Sequence, residues 1–306
     1  MRRYLAYQLV QLVIVLWGVS IAVFVMIRLT GDPVAVMLPP DATREQADEL
    51  RERFGLTEPL PVQYAIWLSN AVRGDFGRAF FSGRAPALNL VVERLPATAL
   101  LATLGLGLSL VISIPLGILA AVKRGSWIDT AATAFVVTGQ AMPGFWFGII
   151  LIIVFAVWLK WVPVSGAGEW RNLILPTIVL GLLLSPTKMR LIRSRMAETL
   201  SADYIRTARS KGLPERQVLW GHALRNVSIS IVAVVGLQFA RLMEGAIVVE
   251  TVFAWPGLGT LLIGAITNSD FPIVQAGVFV IAIITVLAGL LTDLAVAAID
   301  PRVRLG

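Results

Sequence analysis

Four stretches of this chain carry no charged residue over lengths that match a lipid bilayer: 4–27, 95–122, 130–159 and 271–292. About 20 apolar residues in a helix, rising 1.5 Å each, cross the ~30 Å hydrocarbon core. Backbone groups find no water there, so such a run is confined to a helix that satisfies its own hydrogen bonds. Charged residues make up only 15% of the 306 positions, against about 25% in soluble domains. The chain is expected to be an all-α polytopic membrane protein.

Two less uniform spans bring the expected number to six. Residues 172–187 end in Lys188, Arg190, Arg193 and Arg195, whose long stems are expected to snorkel to the interface. Residues 227–249 are apolar apart from Arg241 and Glu244. Short loops fix orientation. Arg2, Arg3, Lys123, Arg124, nine Lys/Arg between 188 and 225, Arg302 and Arg304 would lie inside, against only Lys160 and Arg171 in the short outer loops. Both termini are therefore expected in the cytoplasm, with 1–27 a retained span. Residues 251–269 are also uncharged, but Pro256, Gly257 and Gly259 interrupt them early. A membrane-edge turn followed by a short helix keeps the charge rule intact.

The net charge of +7 belongs to these loops, which lack the stacking aromatics of a nucleic-acid surface, so no nucleic-acid partner is expected. The absence of cysteine excludes disulfides and thiolate metal sites. The one histidine, His222, has no neighbouring ligand cluster. None of the four lysines follows a glycine, so no Gly-Lys-Ser/Thr phosphate loop exists. Ser165-Gly166 lacks a paired histidine at plausible depth. The chain is expected not to be an enzyme, and no cofactor or metal is expected.

Residues 30–94 form the sizeable external segment and carry helix signals. Thr43 and Gln46 match a capping box. Pro61 suits a first helical position, with Tyr64, Trp67, Leu68 and Ala71 spaced along one face behind it. Gly74-Asp75-Phe76-Gly77 reads as a turn. A small helical cap leaning on the spans is expected, which would also be ordered enough to serve as an outer docking surface.

The basic segment 203–213 reads as a short helix. Tyr204, Ala208 and Gly212 fall at i, i+4 and i+8, so one small, smooth face is expected, with Arg206, Arg209 and Lys211 mostly elsewhere. Gly212 and Pro214 stop the helix. Arg206-Thr207-Ala208, then Gly212, then His222-Ala-Leu-Arg225 resembles the coupling-loop signature of binding-protein-dependent ABC importer permeases. Arg206 and Thr207 replace the first two letters of the generic Glu-Ala-Ala, and Arg225 stands at the usual proline. That variant is similar to the oligopeptide, dipeptide, nickel and opine branch. Gly31-Asp32-Pro33, Phe54-Gly-Leu-Thr-Glu-Pro-Leu60, Gln63-Tyr-Ala-Ile-Trp67, Gly74-Asp-Phe-Gly77, Glu250-Thr-Val-Phe253, Trp255-Pro-Gly-Leu-Gly259, Asp270-Phe-Pro272 and Asp300-Pro-Arg302 extend the resemblance, in order.

The resemblance implies a type I ABC importer permease fold, with 1–94 as first span plus external helices and 95–306 as transmembrane domain. Its coupling loop would be 195–226. It implies partners: a second homologous permease, two cytoplasmic ATP-binding subunits and an external substrate-binding protein. Asp203, Tyr204, Arg206, Thr207, Ala208, Lys211, Gly212 and Leu213 would form the ATPase-coupling site. Arg241 and Glu244 share one helix face. An arginine at the bilayer centre costs about 2.5–3.5 kcal/mol, so it must face protein or water. The pair either neutralises itself within the bundle or lines the translocation pathway. Short peptides are the first cargo expectation, with nickel chelates, glutathione and opines as alternatives. An ion-coupled secondary transporter is the competing class. It would need a repeat of spans and a carboxylate relay, and Glu244 is the one clear mid-span carboxylate.

Overall fold

The computed structural model describes residues 2–30, 34, 43–53, 56–81 and 83–299. Gly31-Asp32-Pro33, Phe54-Gly55 and Asp300-Pro-Arg302 lie outside the described residues, as do the side chains of Arg2, Arg3, Arg241 and Glu244. The described chain is helical: α1 (Arg2–Thr30), α2 (Arg44–Arg53), α3 (Leu60–Val72), α4 (Ala87–Val122), α5 (Trp127–Ala141), α6 (Gly144–Leu151), α7 (Ile174–Leu200), α8 (Asp203–Ser210), α9 (Leu224–Gly245), α10 (Ile247–Val252), α11 (Leu258–Thr267) and α12 (Phe271–Ile299). Helices cover all six expected spans, four of them with one helix each.

Span three is not one helix. Pro143 has no N–H to give the preceding turn, and the chain bends by 94° between 127–139 and 144–158. Beyond α6 the chain continues as a wider turn, Ile152–Trp158, with π-helical bonding. The single helix expected over 130–159 is therefore corrected to a broken pair. The uncharged stretch 251–269 opens on the last two residues of α10 and then holds α11, ten residues long. At 1.5 Å per residue it reaches about 15 Å, half the hydrocarbon thickness.

The molecule divides into two compact units, residues 1–96 with 257–286 and residues 97–256 with 287–306. In the first, Phe24 of α1 meets Tyr64 edge-on at 5.4 Å, and Trp67 meets Phe279 of α12 at 6.0 Å. Ala71, Phe76, Ala79, Ala87, Leu258, Leu262 and Ala276 close this core. The stripe anticipated on α3 is thus its inward face. Thr43 and Gln46 form the expected reciprocal cap, Thr43 N–H donating to Gln46 Oε1 at 3.0 Å and Gln46 N–H to Thr43 Oγ1 at 3.3 Å. Pro61 stands one residue later than expected, since α3 begins at Leu60. Asp75 accepts from the Gly77 N–H at 2.9 Å. The buried Asp270 Oδ2 accepts from the Phe80 and Phe81 amides at 2.8 and 3.3 Å. The Gly-Asp-Phe-Gly and Asp-Phe-Pro motifs are therefore turn and loop fasteners.

In the second unit, α4 lies against α7 along a seam of small residues. Gly105, Ser109, Ser113 and Gly117 recur every fourth position and so share a face. A Cβ at Gly105 would lie 2.6 Å from Leu180 Cβ, and one at Gly181 would lie 2.7 Å from Leu108 Cδ2. Ser113 Oγ donates to the Ser185 carbonyl at 3.0 Å across this seam. Close backbone approach of this kind drives helix association where lipid removes the hydrophobic incentive. At one end, Ser126 caps α5, and Asp129 takes a fork from Arg193, Nε to Oδ1 at 2.6 Å and Nη2 to Oδ2 at 2.7 Å. At the other, buried Glu250 accepts from Thr98 Oγ1 at 2.6 Å, and Trp255 Nε1 donates to the Ala97 carbonyl at 3.0 Å. The Glu-Thr-Val-Phe and Trp-Pro-Gly motifs make that clasp.

Candidate coupling site and family membership

The site is built around α8. Ala202 enters it extended, and Asp203 places a carboxylate on the first turn, where the helix dipole favours it. The helix runs Asp203–Ser210, about 12 Å at 1.5 Å per residue. Its end is a Schellman motif: the Leu213 N–H reaches the Ala208 carbonyl at 3.4 Å and the Gly212 N–H reaches Arg209 at 2.9 Å. Gly212 sits at φ +76°, the left-handed conformation that only glycine adopts without penalty.

The face expected to be smooth and open is divided. Tyr204 is 45% exposed, but Ala208 is 7% exposed and Ile205 is fully buried. Ile205 and Ala208 sit among Ile192, Met196, Val218, Ala223 and Val227, with Leu213 packed beside them. The inward stripe is Ile205–Ala208–Leu213, one residue out of phase with the expected Tyr204–Ala208–Gly212. The packed surface beneath the short helix takes Ile205, which is buried without stranding a polar atom, and leaves out the Tyr204 ring, whose hydroxyl needs a partner.

What stands free is a polar crest of Asp203, Tyr204, Arg206, Thr207, Arg209, Ser210 and Lys211, all exposed. Its side chains are held in place. Arg206 pairs with Asp203 at 3.3 Å, Thr207 Oγ1 donates to the Asp203 carbonyl at 3.0 Å, and Asn226 Nδ2 donates to Tyr204 Oη at 3.3 Å. Arg209 forks onto Glu215, Nη2 to Oε1 at 2.7 Å and Nε to Oε2 at 3.1 Å. Hydrogen bonding from that guanidinium outweighs desolvation and holds the Glu215 carboxyl below its ordinary range. After one turn, Val218–Ala223 adopt π-helical bonding, with His222 exposed, and lead into α9. Beside α8, a cavity of about 310 Å³ is lined by Arg195, Glu198, Thr199, Asn226 and Ser230 among others.

Arg241 and Glu244 lie on α9, and their side chains are outside the described residues. The reading of Lys188 as an interfacial snorkelling residue is corrected. It is fully buried, and its ammonium donates to Gln238 Oε1 on α9. The signal was in the spacing: Ser185, Lys188, Met189, Ile192 and Met196 fall on one stripe of α7, and all are buried. Among the described residues no group of three or more His, Asp or Glu is placed to hold a metal ion.

Comparison with known proteins agrees with this architecture. The chain is 40% identical to a probable peptide ABC transporter permease of Sinorhizobium fredii, over 98% of this chain and 99% of the relative. It is 37% identical to an oligopeptide transport system permease of Bacillus subtilis, over 99% and 100%. It is 38% identical to a glutathione transport system permease of Escherichia coli, over 99% of each. The inward-facing MetNI methionine ABC transporter shares the fold, with a TM-score of 0.58 at 19% identity over 69% of this chain and 96% of that one. The profile of the family described as binding-protein-dependent transport system inner membrane component matches residues 113–305, and its N-terminal companion matches 1–102. This chain belongs to the binding-protein-dependent transport system inner-membrane components, a multi-pass membrane family.

Proposed function

We propose that the chain is the permease subunit of an ATP-driven importer and forms half of the pathway for short peptides or related solutes. Relatives named for peptide, oligopeptide and glutathione transport support that cargo class. The observation that carries the reading is α8. It is an eight-residue helix whose apolar stripe is sunk into its own subunit and whose ordered polar crest is left outward. A helix seated this way delivers a push to the helices beneath it without bending. Two separate ATP-binding subunits would supply the push, since the chain contains no phosphate loop. A second permease would complete the pathway, and an external binding protein would deliver the cargo. Residues 1–94 would serve as anchor and external cap, 95–306 as the moving domain. Asp203, Tyr204, Arg206, Thr207 and Lys211 would meet the ATPases directly. Ala208, Gly212 and Leu213 would shape the helix that presents them. Arg241 and Glu244 would lie towards the pathway.

The test is reconstitution with partner permease, ATPases and binding protein in vesicles. Replacing Arg206 and Lys211 together by Glu reverses charge on the exposed crest without touching the buried stripe. Stimulated ATPase activity and uptake should both fall at least about tenfold, the effect of losing 1.4 kcal/mol of coupling. Unchanged uptake would overturn the role of α8. Labelling of Lys211→Cys by a membrane-impermeant thiol reagent from outside intact cells would overturn the orientation, which places this loop and both termini in the cytoplasm. Uptake that survives ATP depletion but collapses with an ionophore would favour a secondary transporter.

A further inference from the structure

The helices that flank α8 in sequence, α7 before it and α9 after it, are joined twice. Near the loop they share an apolar core through Ile192, Met196, Val227 and Ile231, into which α8 inserts Ile205 and Ala208. Farther along they are joined by Lys188 and Gln238. Lys188 is thirteen residues from Ser201 and Gln238 fourteen from Leu224, so both stand about 20 Å along their helices from the loop. An apolar contact tolerates slippage, because one methyl group replaces another at little cost. A buried ammonium does not, because moving away from its acceptor leaves a charge in a medium that cannot solvate it. Lys188 is 0% exposed and Gln238 9%. Among the described residues no carboxylate forms an ion pair with Lys188. Among the described residues its hydrogen bond goes to the Gln238 amide oxygen.

We infer that Lys188 and Gln238 are positioning residues for energy coupling. Their bond locks α7 and α9 in register deep in the span, so that displacement of α8 moves both helices together. This rests on the coupling role of α8. With the tie cut, the loop end would still follow the ATPases while the two helices slip past each other above it. ATP would then be hydrolysed without a matching movement of cargo. A merely structural lysine predicts an unchanged ratio: Lys188→Met strands the Gln238 amide oxygen and lowers stability, but it does not separate hydrolysis from uptake.

The experiment measures uptake and ATP hydrolysis together in vesicles holding the full complex. Lys188→Met should assemble and hydrolyse ATP, with the ratio of cargo moved to ATP consumed lowered at least about fivefold, the lower end of ordinary coupling between sites. Exchanging the groups, Lys188→Gln with Gln238→Lys, should restore the ratio, and Gln238→Glu should leave it at the wild-type value. A wild-type ratio in Lys188→Met overturns the tie while leaving the α8 reading intact. Failure of the crest variant to alter uptake overturns that reading instead. If Lys188→Met does not assemble, the exchanged pair decides: a restored ratio supports the tie and a lowered one refutes it.

Discussion

Gly212 separates two explanations for a glycine at the end of α8, the backbone angle it permits and the space it leaves. Its φ of +76° costs an ordinary residue about 1–2 kcal/mol. A Cβ there would meet no heavy atom within 4 Å. Within the subunit, then, substitution is penalised by conformation alone. Gly212→Ala should lower stability by about 1 kcal/mol, and Gly212→Asn by less, since asparagine tolerates the left-handed region. Gly212→Trp should cost the isolated subunit no more than alanine does. The assay is thermal unfolding of the purified chain in detergent, alongside capture of the ATP-binding subunits by each variant. If α8 docks into a groove, tryptophan abolishes capture while alanine and asparagine largely retain it. Tryptophan that captures the ATPases as well as asparagine does would refute docking at this end of the helix. Tryptophan that destabilises the free subunit several kcal/mol beyond alanine would refute the open space around Gly212.

Ile205→Asp places a charge at a position with no exposure and should detach α8, seen as faster proteolysis after Arg206 and Arg209 with α7 intact. Arg193→Ala leaves the buried Asp129 without its fork and should destabilise the chain by about 2 kcal/mol in thermal unfolding, whereas Arg195→Ala, an exposed pair, should change little. Gly181→Leu should overpack the α4–α7 seam against Leu108 and cost about 1–3 kcal/mol, or block expression, while Gly107→Leu, with open space around it, is tolerated. Thr98→Val removes the hydroxyl donor to buried Glu250 and should lower unfolding temperature without altering ATPase capture.

Much of the architecture was legible in the chain because lipid is a uniform solvent. A helix that crosses it must be apolar over most of its length, whatever it packs against, so the uncharged spans could be read one at a time. The ends of α8 and the cap of α2 were legible for a related reason. Gly212 and the Thr43–Gln46 pair act within a few residues, through backbone angles and local hydrogen bonds. The break in span three was signalled by Met142-Pro143-Gly144, yet hydropathy stays high through it, so an apolar count alone passes over it.

Which face of a helix turns inward was not legible to the same degree. The helical period offers Tyr204 and Ile205 as equally good starts for a stripe, and one residue of phase decides whether Tyr204 is seat or crest. Lys188 shows the same limit in reverse. Next to Arg190 and Arg193 it reads as one more interfacial cation, and only the arrival of α9 with Gln238 makes it an interior one. Chain order and solvent determined the spans, the turns and the existence of the short polar helix. Tertiary packing decided the phase of each helix, the depth of each charge and the pairing of α4 with α7. Those depend on surfaces that approach from elsewhere in the chain, 50 residues away for Lys188 and Gln238 and 72 for Ser113 and Ser185, where no local pattern reaches.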